Sequence, residues 1–144
     1  MKVKIGMNML LWGIEITPEH IPVFEGLAGA GYQGVEIPVV GQSDAQLIEM
    51  ATACDGLGLE RTAVAFVSEE ANPISPDAAV RAAAVDALKK AIDDTKLIGA
   101  DILVGATYQA HKYFTGTGPT QQEWDWSAQY LRTCGEYAQS VDVR

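Results

Sequence analysis

Four short, nearly all-apolar runs alternate with four capped, helix-patterned segments along this chain. That alternation constrains the fold more than any other feature. The runs are Val3–Trp12 (VKIGMNMLLW), Gly34–Val40 (GVEIPVV), Leu59–Phe66 (LERTAVAF) and Asp101–Tyr108 (DILVGATY). Short apolar runs bounded by turn residues suit strands buried on both faces, as in parallel sheets. The first helix pattern, Thr17–Gly31, opens with Thr17 as N-cap and Pro18 at its first position, and places Ile21, Phe24 and Leu27 on one face. His20 falls opposite that stripe and is expected in solvent. The second, Ser43–Gly58, carries a Ser43/Gln46 capping box and closing glycines. The third is expected to open at Ser75, with Pro76 at its first position. The fourth follows a Thr120/Glu123 capping box.

Strand and helix in strict succession imply an α/β protein with a parallel sheet and right-handed crossovers. Nothing between residues 1 and 144 reads as a linker or low-complexity segment, so one domain of four βα units is expected. Such strands either close into an eight-stranded barrel or open into a doubly wound sheet. A barrel takes about 250 residues, so this chain is roughly half of one. Val141-Asp142-Val143-Arg144 reads as the opening of a fifth strand. A flavodoxin-like open sheet is the weaker alternative, because no phosphate-binding loop follows the first strand.

Composition narrows the function. The net charge is −9, with no basic cluster, which argues against nucleic acid and anionic membranes as partners. No apolar run approaches the roughly 18 residues of a membrane span, and Met1–Ile5 passes directly into a strand pattern, so no signal peptide is expected. Cys54 and Cys134 lie in helix patterns without metal-ligand spacing; two buried free thiols in a reducing, cytoplasmic setting are expected. There is no GxGxxG, Walker loop, GxSxG elbow or Cys/His nucleophile pair.

In either architecture, ligands sit at the C-terminal ends of the strands. Glu36 lies inside an apolar strand, where a carboxylate is costly unless it is paired or faces a polar site. It reads either as a pocket group or as an internally bonded structural Glu. His111, in the loop after the fourth strand, reads either as a contact to a substrate hydroxyl or as a surface histidine. Trp12, Tyr108, Tyr113 and Phe114 cluster near strand ends and suit either the C–H faces of a sugar or simple packing. Gly105 permits a close backbone or ligand approach. Glu36, Glu69, Glu70 and His111 are the metal-capable groups near strand ends, too few for a metal-assisted reaction.

The segments MKVKIGMNMLLW, GLAGAGYQGVEIPVV, GLGLERTAVAF, ANPISPDAAVRAAAVDALKKAIDDTKLIGADILVG and FTGTGPTQQEW, in this order and spacing, resemble the sugar phosphate isomerase/epimerase family. This is the xylose-isomerase-like TIM-barrel group that includes the D-tagatose and D-psicose 3-epimerases. The resemblance implies a (β/α)8 barrel, of which this chain is the N-terminal (βα)4 half. It implies proton transfer next to a ketose carbonyl through an enediolate held on a divalent ion, Mn²⁺ or Mg²⁺. It also implies that the metal ligands and both acid/base glutamates come from strands five to eight. The chain alone is therefore expected to bind no metal and to lack activity. By position, the resemblance assigns Asn8, Trp12, Phe66, Gly105 and Ala106 to sugar contact and Glu36 to polar support of the pocket. The expected partner is a sugar or sugar phosphate. The alternative is a non-catalytic half barrel that serves as a binding module or pairs as a homodimer through its exposed sheet edges.

Overall fold

A computed structural model describes residues 3–144. Four parallel strands, β1 (Gly6–Asn8), β2 (Gly34–Pro38), β3 (Glu60–Val64) and β4 (Leu103–Val104), lie side by side in chain order. Each is followed by a helix: α1 (Ile21–Gly29), α2 (Asp44–Leu57), α3 (Ala78–Leu97) and α4 (Gln121–Ser140). Strand order equal to chain order, with every crossover on one side, is the arrangement of a barrel rather than of a doubly wound sheet.

The strands alternate faces with period two. Val35, Ile37 and Val39 of β2 and its extension, with Ala63 and Ala65 beside them, turn toward the helices and are buried with Phe24, Leu47, Met50, Leu88 and Ile92. This is the hydrophobic core, and it lies between sheet and helices. Glu36 and Pro38, with Thr62 and Val64, occupy the opposite face.

Local chemistry sets the element ends. Ser43 Oγ accepts from Gln46 N, and the Gln46 side chain accepts from Ser43 N in return (2.9 Å), so α2 starts as the spacing predicts. It ends at Gly58, whose φ of 66° favours glycine. Thr120 and Glu123 cap α4 in the same reciprocal way. The third helix differs from expectation. Asp77, not Ser75, is its N-cap, because the carboxylate accepts from Ala79 N at 2.8 Å and an anion there also meets the positive helix end. The first helix also differs. A 3-10 turn at Pro18–His20 precedes α1, and His20 is half-buried, its Nδ1 accepting from Thr17 N at 3.1 Å rather than facing solvent.

The strands are shorter than the apolar runs. Asn8 ends β1 by accepting from Leu10 N with its side chain (2.8 Å), which turns Met9–Leu11 into a 3-10 turn. Gly105, at φ 144°, ends β4. A Cβ there would sit 1.8 Å from Ala65 O, so only glycine lets the two chains run this close. Arg144 sits beside β4: its N donates to Asp101 O, and its O accepts from Leu103 N, both at 2.9 Å. That is one rung of a further parallel pairing.

Candidate functional site

The site is built on the sheet face turned away from the helices. Parallel register sets Asn8 opposite Glu36 and Glu36 opposite Thr62, so three polar side chains share one rung. Asn8 Nδ2 donates to Glu36 Oε1 at 2.5 Å, and Thr62 Oγ1 donates to Glu36 Oε2 at 3.3 Å. The half-buried carboxylate is thus held by two neutral donors, and no ion pair among the described residues includes it. Asn8 is fixed in turn by its own bond to Leu10 N. Glu36 lies in the middle of β2, not at its end. Thr62 was invisible to motif reading, yet period-two parity and in-register pairing point to it once Glu36 is chosen.

Above this rung on the same face comes an apolar one, Pro38 beside Val64 beside Val104. Above that lies the rim. Phe66 and His111 stack there with ring centroids 5.2 Å apart and planes tilted by 39°. His111 N donates to Val67 O at 2.8 Å, and Val67 pairs in parallel with Ala110, so the loops after β3 and β4 are stitched together. Gly105 lies against Ala65, one residue before Phe66. Thr62 and Phe66 are four residues apart along β3 and its extended continuation, an axial distance of about 13 Å.

The sequence-derived residues therefore divide. Asn8 and Glu36 come together at mid-strand. Phe66, His111 and Gly105 come together at the rim. Trp12 caps the turn after β1 with 42 % of its surface exposed, and Ala106 lies just past Gly105, half-buried. Among the described residues neither side chain hydrogen-bonds to the others. Tyr113 and Phe114 lie farther along the β4–α4 loop, Phe114 exposed.

Metal chemistry needs several converging His, Cys, Asp or Glu ligands. Among the described residues no three such groups converge, so these side chains do not fit a divalent ion. Cys54 and Cys134 are free and buried, and burial pushes both thiols up to about 11, which disfavours a nucleophilic role. No helix among the described residues is long and apolar enough to cross a membrane.

Solved structures share this fold. A D-psicose 3-epimerase from Clostridium cellulolyticum H10 with D-tagatose superposes with a TM-score of 0.83 at 24% identity, over 98% of this chain and 50% of that one. A D-allulose 3-epimerase from a Methylomonas species, in complex with D-allulose, gives 0.87 at 21% identity, over 99% and 50%. An L-ribulose 3-epimerase gives 0.84 at 21%, over 99% and 48%. The chain thus spans about half the length of the epimerases it matches. The model of the xylose isomerase-like TIM barrel family matches residues 24–144, and with its four in-order parallel βα units the chain belongs to that family.

Proposed function

We propose that this chain supplies the N-terminal wall of a ketose 3-epimerase-type barrel, which inverts the carbon next to a ketose carbonyl. The observation that carries this reading is the superposition of nearly the whole chain on one half of sugar 3-epimerases. The site geometry is consistent with it. At the rim, the Phe66 ring offers an aromatic face for sugar C–H groups, and the exposed His111 imidazole can exchange hydrogen bonds with a hydroxyl. Trp12, Gly105 and Ala106 complete this contact surface. Glu36, with Asn8 and Thr62, lies too deep to touch the same sugar ring. It acts as the polar floor that keeps β1, β2 and β3 in register beneath the pocket.

Among the described residues no three metal-capable side chains converge, and on this reading the wall's part is to bind and orient a sugar or sugar phosphate. Incubating the 144-residue chain with D-allulose and Mn²⁺ tests this. No conversion to D-fructose is expected, and measurable turnover overturns the assignment of this chain to the wall alone.

Pairing of two copies through the open edges of β1 and β4 is the second reading. The edges favour it, but the first rung beside β4 is already taken by Arg144. A second copy's strand must displace Arg144 or pair above it. A monomeric mass in sedimentation equilibrium removes this reading, and a discrete dimer supports it.

A further inference from the structure

Asn72 is only 4 % exposed, an unusual place for an amide. Its Oδ1 accepts from two backbone N–H groups at once: Ile74 N at 3.2 Å, within its own loop, and Ala110 N at 3.1 Å, from the loop after β4. The two loops are thereby joined by one side-chain oxygen across 38 residues of sequence. An apolar residue of similar size could occupy this buried position. It would also leave two buried N–H groups without acceptors.

We propose that Asn72 is the positioning residue of the sugar-facing rim. Ala110 N donates to Asn72 and the next amide, His111 N, donates to Val67 O, so both peptide planes around Ala110 are fixed. Those planes set the direction in which the His111 side chain leaves the backbone, and that direction brings its ring onto Phe66. Asn72 acts through His111 and touches no substrate itself. The inference rests on the reading that Phe66 and His111 face the sugar, but its test does not use activity.

In the 144-residue chain, amide exchange and ring-to-ring nuclear Overhauser effects measured by NMR should show a protected Ala110 amide and a Phe66–His111 contact. Asn72→Asp retains an acceptor oxygen and should keep both. Asn72→Leu should lose the contact and speed Ala110 exchange about tenfold, the equivalent of one net hydrogen bond, with far-UV circular dichroism unchanged. Free-loop exchange of Ala110 in the unmodified chain overturns the proposal, as does a Phe66–His111 contact that survives Asn72→Leu. Should Asn72→Leu fail to fold, loss of the contact in Asn72→Asp overturns it and retention supports it. Adding D-allulose separates the two readings: a staple that passes these tests, beside Phe66 and His111 signals that ignore the sugar, removes the sugar-facing assignment alone.

Discussion

The two faces of one sheet solve opposite problems. Toward the helices, Val35, Ile37 and Val39 are at most 2 % exposed and pack against fully buried Phe24, Leu47 and Met50. On the other face the same strands present Asn8, Glu36 and Thr62 on one rung, and Val104 of β4 remains 41 % exposed. Period-two alternation lets a single strand serve both, because a change on one face leaves the other's packing almost intact. The helix-facing side holds the chain together, and the opposite side, beneath buried Pro38 and Val64, carries polar groups that a packed core would reject.

Substitutions can break or sharpen this contrast. The largest effect belongs to the helix-facing side: Phe24→Ala should cost about 3–5 kcal/mol in urea denaturation, since Phe24 is wholly buried. A cost below about 1 kcal/mol would mean that the helix-facing core is not the stabilising one. Gly105→Ala comes next, at about 3 kcal/mol, because its Cβ meets Ala65 O at the seam between β3 and β4. Calorimetry should show a clear drop in Tm.

Thr120→Ala should cost about 1 kcal/mol through lost capping of α4. Its acid dependence has a definite sign. The Thr120 N–H and hydroxyl hold the Glu123 carboxyl below its ordinary value of 4.5. That contribution is present above pH 4.5 and is lost as pH falls through the lower folded value. Glu123→Gln, which removes the titrating carboxyl, should therefore flatten the acid limb of the stability profile, and an unchanged limb would contradict the cap. On the opposite side, Glu36→Gln should change stability by less than about 1 kcal/mol, because the amide oxygen can still accept from a neighbour. A loss comparable to Phe24→Ala would show that the two faces are not separable. The smallest effect is chemical: Cys54 and Cys134 are buried and their thiols pushed up to about 11, so iodoacetamide should label them only as fast as the chain unfolds.

Much of the architecture was legible because it rests on local signals. Ser43/Gln46, Thr120/Glu123 and Gly58 act within one turn, and their spacing marks the helix ends directly. Strand ends were less legible. Asn8 and Gly105 stop β1 and β4 through a side-chain bond and a positive φ that apolar patterning does not report. The choice of Asp77 over Ser75 turned on which oxygen reached Ala79 N, a matter of geometry between two good capping residues. Glu36 was conspicuous as a charge in an apolar strand, whereas Thr62 and Asn72 were not. Their roles come from partners 26 and 38 residues away. Register also separates Glu36 from Phe66 and His111, which strand-end position alone had grouped together.

The central claim is that the rim of the face opposite the helices, and not the rung beneath it or the helix side, meets a ketose. Titrating the isotope-labelled chain with D-allulose while following its amide and ring signals tests this directly. The account predicts shifts concentrated at Phe66, Gly105 and His111, with Glu36 and Thr62 little moved and Val35 and Ile37 unmoved. Shifts confined to the helix-facing residues, or no saturable shift anywhere, would contradict it.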